Sequence, residues 1–224
     1  MEIIYKDENI LIINKPAGLS VLPEGWELDA PYLVKMLEEE FPKIWVVHRL
    51  DKFTSGVMIV AKNSAAHRVL SHQFKEREVR KEYLALVYGN PKPASGTIDL
   101  PLGRDLKDRK KISPRARKKR TAITHYSTIE AIGSMAFLQV HIETGRTHQI
   151  RVHLAAKGHP IVGDALYGGN RNVPLNIATA VKGLQRPFLH SHKITFTHPR
   201  SGERLAFCAP LPAELKALLE FIKS

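Results

Sequence analysis

The chain has 224 residues, with 34 Lys and Arg against 22 Asp and Glu, a formal charge of +12. Apolar residues at 43% and charged residues at 25% are ordinary globular usage and exclude wholesale disorder. The single cysteine, Cys208, excludes an internal disulfide framework and a multi-cysteine zinc site, and so basic a chain points first to nucleic acid and second to an anionic membrane surface.

Taken in order, residues 9–14 (NILIIN) read as a short buried strand that ends in a turn at Lys15-Pro16-Ala17-Gly18. Asp29 is placed to cap a helix through Leu33 and Leu37 that Pro42 stops. A strand-like 44–47 leads into a polar stretch, and 56–62 (GVMIVAK) is a second buried strand. Ser64 opens a helix that carries Leu70 and Phe74 on one side. Residues 81–88 (KEYLALVY) alternate like a half-buried strand closed by Gly89-Asn90-Pro91. Residues 121–131 and 135–143 alternate around Gly133-Ser134, a hairpin signal. The segment 147–157 reads as a helix with Gly158 at its stop position. Strands follow at 188–197 and 204–208, and Pro212 opens a last helix with Leu215, Leu218, Leu219 and Ile222 at helical spacing. Strands outnumber helices and several are hairpin-linked, which gives the α+β class with a mixed, mostly antiparallel sheet and flanking helices. No repeat or linker interrupts the pattern, so residues 1–224 read as one domain.

The start, MEIIYKDENI, has an acid at position 2 and no h-region of a signal peptide. The apolar runs 10–13 and 57–61 are far too short to span a bilayer, and a free thiol fits a reducing compartment. A cytoplasmic location is expected.

Charge concentrates in 104–120, RDLKDRKKISPRARKKR, where ten Lys or Arg and two Asp give a net of +8 in seventeen residues. Such a run cannot bury itself, and Ser113 and Pro114 break a helix, so an exposed, mobile loop is expected. An isolated basic run is most often a solvated linker or a localisation signal; lying between two strand-like segments favours a functional loop.

Two further segments carry chemistry. In His48-Arg49-Leu50-Asp51-Lys52-Phe53-Thr54-Ser55-Gly56 a carboxylate sits in a polar loop between two apolar runs. On spacing alone Asp51 makes nothing more than an Asx-turn. In Thr144-Gly145-Arg146-Thr147-His148-Gln149-Ile150-Arg151-Val152-His153 a strand end leads into a helix. Ile150 and Leu154 would face the core, and His148 and Arg151 would share another face. The helix macrodipole prefers acids near this end, so Arg151 is either a surface residue with a packed stem or is held for a carboxylate or phosphate partner.

HRLDKFTSG, RKEYLALVYG and TGRTHQIRVHLAAKGHPIVGDALYG, in this order and spacing, resemble the three motif regions of the RluA-type pseudouridine synthases, which modify ribosomal and transfer RNA. ILIINKPAGLSV is similar to the first catalytic-domain strand of that family, and the likeness runs from about residue 3 to about residue 210. The resemblance implies a catalytic domain with a central RNA-binding cleft and no N-terminal S4-like domain. It implies Asp51 as the catalytic carboxylate, Arg151 as the arginine that pairs with it, Tyr83 as the tyrosine that packs against the target base, and Arg49 as the residue that fills the gap left by a flipped base. A flipped base costs a few kcal/mol in lost stacking, which an aromatic face offsets. The basic loop, through Arg115, Arg117, Lys118, Lys119 and Arg120, would grip the RNA backbone and give affinity with little sequence information. Asp51 could serve as nucleophile or as base.

Pseudouridine formation breaks an N-glycosidic bond, turns the uracil and rejoins ribose at carbon 5, with no redox change. No Gly-rich phosphate loop, dinucleotide fingerprint or HExxH is present, and His148 and His153 would lie on different helix faces. Neither a metal nor a cofactor is expected, and the chain is expected to act on RNA as a monomer. A non-catalytic RNA-binding module would leave the Asp51 and Arg151 motifs without a purpose, and a structural ribosome-associated protein would do the same. A glycoside hydrolase would need a second carboxylate, for which Glu143 and Asp164, both at turns or strand ends, are the candidates.

Overall fold

The computed structural model describes residues 1–23, 31–108, 110–168 and 173–224. Its elements in chain order are β1 (Glu2–Lys6), β2 (Ile10–Lys15), α1 (Leu33–Glu38), β3 (Trp45–Val46), β4 (Ser55–Ala61), α2 (Ser64–Lys75), β5 (Arg80–Tyr88), β6 (Ser95–Asp99), β7 (Gly103–Arg104), β8 (Ile112–Ser113), β9 (Ile123–Ile132), β10 (Met135–Ile142), α3 (Gln149–Ala156), α4 (Leu175–Leu184), β11 (Leu189–Thr197), β12 (Arg204–Cys208) and α5 (Ala213–Lys223). They form two compact units: Met1–Lys81 with Ser191–Pro210, and Glu82–His190 with Leu211–Ser224. The class is α+β with mostly antiparallel pairing, as the sequence implies.

In the first unit β2 pairs antiparallel with β4 from Ile10↔Ala61 to Lys15↔Gly56. β1 lies on the other side of β2, and β12 pairs with β11. The runs ILII and VMIVA are apolar at every position, so both faces of β2 and β4 can be buried, and both are. One face packs Ile10, Ile12, Val57 and Ile59 against Ala66 and Leu70 of α2 and Phe196 of β11. The α2 helix starts where the Asn63 side chain accepts the Ala66 amide at 2.9 Å, an N-cap one residue before the expected start. The α1 helix begins after Tyr32 without a side-chain cap and ends at Glu38, short of Pro42. Asp29, expected as its cap, lies outside the described residues.

In the second unit β10 pairs with β5 and β9, and β9 with β6, all antiparallel. Gly133, at φ +55°, makes the β9–β10 turn at the expected place. The alternating appearance of β5 does not mark a solvent face: the polar Lys81 and Glu82 are themselves buried. Glu82 accepts a 2.7 Å hydrogen bond from Gln139 Nε2 of β10, which lets a carboxylate occupy the sheet interior. The α5 helix buries Leu215, Leu218 and Leu219, the spacing that announces it, with Pro212 at its N-cap. Among the described residues no helix is long and apolar enough to cross a membrane.

Gly56 opens β4 immediately after the Asp51 loop. Its φ is +117°, and a Cβ there would stand 2.1 Å from the backbone oxygen of Ser191 on β11. Ser191 Oγ in turn donates to the Val57 carbonyl at 3.0 Å. Gly56→Ala should destabilise the protein by roughly 3 kcal/mol, from a left-handed conformation and a backbone clash together. Urea unfolding at neutral pH measures this; a loss below about 0.5 kcal/mol would show that the close approach does not constrain the loop.

Candidate active site

Asp51 lies in the first unit, in the loop between β3 and β4, and is half-buried. Its carbonyl accepts the Thr54 amide at 3.0 Å, which closes the turn. The next carbonyl, that of Lys52, accepts from the Gly18 amide at 2.9 Å and from Lys15 Nζ at 3.1 Å. Lys15 is fully buried at the end of β2 and also donates to the carbonyls of Pro16 and Leu19. The lysine of the predicted turn is thus an internal pin between that turn and the Asp51 loop. Leu50 is buried beside the carboxylate, and Arg49 is exposed.

His48 holds the other side of the loop. Its Nε2 accepts the Ile59 amide at 3.1 Å, one residue beyond the last β3–β4 pair. A neutral imidazole that accepts at Nε2 carries its proton on Nδ1. The residue is half-buried as a whole, while its ring is enclosed and stacks on Phe74 at 4.7 Å. That enclosure, with the Lys81 ammonium as a second cause, pushes its pKa down to about 3. Lys81 is buried over the same Phe74 ring, and burial, helped by the Arg77 guanidinium, pushes its pKa down to about 8.

Arg151 and Tyr83 lie in the second unit. Tyr83 is buried on β5 opposite Val140 of β10. Arg151 is 8% exposed, not a flank residue of a half-buried helix, because every residue from Gln149 to Leu154 of α3 is buried. Its Nε and Nη2 donate to Oδ2 and Oδ1 of Asp164 at 2.7 and 2.8 Å, a two-pronged ion pair. Asp164 Oδ1 also accepts the amides of Leu166 and Tyr167. The ring of Tyr167 lies 5.1 Å from Arg151 Cζ. Asp164, which strand-end reading passes over, is therefore the carboxylate that orients Arg151. Glu143, the other candidate second acid, bonds His125 Nε2 at 2.8 Å. Both candidates for a hydrolase's second carboxylate are thus bonded to a cationic or imidazole partner.

The start of α3 is fixed by a buried amide. Gln149 Oε1 accepts from Thr144 Oγ1 and the Arg146 amide, and its Nε2 donates to the Ile123 carbonyl and Thr124 Oγ1. His148 stands just outside the helix in the left-handed region at φ 54°, and it and Arg151 both meet the ring of Tyr167, the shared side that their spacing suggests. His153 is fully buried, with Nε2 donating to the Leu100 carbonyl and Nδ1 near Thr124 Oγ1, and burial lowers its pKa. It is a structural histidine.

The basic stretch is more ordered than the mobile loop its composition suggests. β7 and β8 pair as a short ribbon, and Leu102 and Arg120 exchange backbone hydrogen bonds at 2.9 and 2.8 Å to close its base. Asp105 Oδ1 accepts the amides of Lys107 and Asp108, so one of the two acids in the run builds a turn and does not simply offset charge. Arg115, Arg117, Lys118, Lys119 and Arg120 are exposed around the buried Ala116. This places five cations on a folded support.

Residues 9–156 match the family described as RNA pseudouridylate synthase. The ribosomal large subunit pseudouridine synthase D of Xanthomonas campestris is 39% identical over all of this chain and 70% of its own length. The chain belongs to the RNA pseudouridylate synthase family. An uncharacterized RNA pseudouridine synthase of Synechocystis is 41% identical over all of this chain and 69% of its own. The solved structure of human RNA pseudouridylate synthase domain containing 4 matches with a TM-score of 0.79 at 28% identity, over 99% of this chain and 92% of that one. As a pseudouridine synthase the protein is an isomerase that acts on RNA, and the motif regions around Asp51 and Tyr83 fall inside the matched residues.

The His48 environment has a pH signature. In the folded synthase His48 stays neutral down to about pH 3, whereas in the unfolded chain it takes up a proton below about 6.5. The unfolded state therefore binds more protons between those values, and stability falls as pH drops through that window by at most about 1.4 kcal/mol per pH unit. Replacing His48 with Gln, which does not titrate, should flatten the loss between pH 7 and pH 5 relative to wild type. Urea unfolding across that range checks it; parallel curves would mean the imidazole is not enclosed.

Proposed function

We propose that this synthase converts uridines of ribosomal or transfer RNA to pseudouridine, with Asp51 as the catalytic carboxylate. The observation that carries this reading is the fixed Asp51 loop: a half-buried carboxylate in HRLDKFTSG whose flanking backbone is held by Lys15, Gly18 and Thr54. The names of several relatives as ribosomal large subunit synthases favour ribosomal RNA. Arg151, oriented by Asp164, and Tyr83 complete the catalytic set, and Arg49 occupies the stack that the target base leaves. The chain acts as one catalytic domain, monomeric, cytoplasmic and without cofactor.

The chemistry is balanced without an external reactant. The bond between N1 and the ribose carbon breaks, carbon 5 bonds to that carbon, the hydrogen on carbon 5 leaves as a proton, and N1 gains one. A charged oxygen held at the sugar or the base is what the protein must supply. Arg115, Arg117, Lys118, Lys119 and Arg120 hold the backbone while the base is out of its stack.

RNA labelled with tritium at uridine carbon 5, pooled from cells lacking the gene, should release label to water on addition of the protein, and should do so in a chelator. Asp51→Asn should lower release about a thousandfold or more while RNA affinity changes little. Near-normal release by that variant would remove Asp51 from the chemistry. No release by wild type under conditions where RNA is bound would remove the synthase reading.

Changing Arg115, Arg117, Lys118, Lys119 and Arg120 to Gln should weaken binding to unrelated RNAs alike. The slope of log K against log salt should shrink by roughly 0.7 per lost contact on single strands. Filter binding over a salt series measures this, and an unchanged slope would place the ribbon off the RNA.

A further inference from the structure

Tyr167 has no part in the roles assigned above, yet it touches three of the elements that do. Its phenol oxygen accepts the backbone amide of Ile112, on β8 of the basic ribbon, at 2.9 Å. The same oxygen lies 2.9 Å from Nδ1 of His148. The phenol oxygen thus joins the Ile112 amide and the His148 imidazole in one hydrogen-bonded chain. The ring carries the Arg151 guanidinium 5.1 Å from its centroid and meets the His148 ring edge-on at 5.6 Å. The Tyr167 amide donates to Asp164 Oδ1, the oxygen that also accepts from Arg151 Nη2. Ile112 and Tyr167 pack together against Leu102, Ala122 and Val152, so the base of the ribbon and the start of α3 share one small core.

Arg151 is thus held in its plane by Asp164 and on its face by Tyr167. A cation over an aromatic ring gains from a fixed ring position, and here that position is set partly by the ribbon amide. A shift of the ribbon would move the Ile112 donor, and with it the phenol and the surface on which Arg151 rests.

We propose that Tyr167 is a positioning residue that couples the grip of the basic ribbon on an RNA backbone to the placement of Arg151. The inference rests on the function proposed above for Arg151 and the ribbon. Through this coupling, part of the binding energy of the backbone contacts lowers the barrier of the reaction step as well as raising affinity.

The test is tritium release in single turnover, with protein in excess over the pooled RNA, which yields a maximal rate and a half-saturating protein concentration. Tyr167→Phe keeps the ring on Arg151 and removes only the hydroxyl. The maximal rate should fall about tenfold, the worth of one hydrogen bond, and half-saturation should move by less than about twofold because every cation remains. Ile112→Pro removes the donor from the ribbon side, where that N–H points off the ladder, and should reproduce the loss; it keeps the proposal testable if Tyr167→Phe fails to fold. Arg117→Gln with Lys118→Gln should lower the maximal rate in wild type but shift only half-saturation when combined with Tyr167→Phe, a non-additive cycle. A Tyr167→Phe effect confined to half-saturation, a strictly additive cycle, or a wild-type rate overturns the coupling. Asp51→Asn and Arg151→Met in the same assay separate the two levels. If both are inactive and Tyr167→Phe is normal, the coupling alone is wrong. If both turn over normally, the proposed function fails and the coupling with it.

Discussion

A lysine ammonium buried at the end of β2 determines where the Asp51 loop can be. Burying a charge costs several kcal/mol unless its hydrogen bonds are satisfied, and Lys15 Nζ reaches the carbonyls of Pro16, Leu19 and Lys52. Those bonds join two loops that are distant in sequence. Either loop moving away leaves a buried cation short of an acceptor, so the geometry is over-determined. The carboxylate of Asp51, one position before Lys52, inherits that fixity, and His48, which takes the Ile59 amide where β3 runs out, closes the other side.

The second unit uses the same device with the charges reversed. Asp164 is a buried anion whose Oδ1 accepts two backbone amides and one prong of Arg151, while Oδ2 takes the other prong. Gln149 plays the equivalent part for the turn before α3, spending both ends of its amide on four groups. In each case a loop is positioned by a polar group whose capacity is used internally, on a frame of paired strands. Rigid placement of this kind suits an isomerisation in which the protein contributes orientation and charge and no reagent of its own.

The strands that carry this frame were legible because their chemistry is local. ILII and VMIVA can only be buried, Gly133-Ser134 can only turn, and the leucines of α5 repeat at helical spacing. The edge strand β1, with polar residues at both ends, and β6, SGTID, show no such pattern; they are strands because neighbours pair with them. The α4 helix half-buries Ile177, Val181 and Leu184 at helical spacing, a pattern that the chain-order reading passes over. The candidate site was legible as motifs around Asp51, Tyr83 and Arg151, but not as interactions. The contact of Lys15 with Lys52 spans 37 positions and that of Arg151 with Asp164 spans 13, and no periodicity relates such residues. The basic run misled in the other direction: its charge density suggested a free loop, whereas Asp105, the buried Ala116 and the bridge at Leu102 and Arg120 fold it into a ribbon.

The most direct test of the account is a map of pseudouridines in ribosomal and transfer RNA from cells that lack the gene, and from the same cells supplied with wild type or with Asp51→Asn at equal protein level. The account predicts that specific pseudouridines vanish on deletion, return with wild type, and do not return with Asp51→Asn. Restoration of those positions by Asp51→Asn, or an unchanged map on deletion, would contradict it.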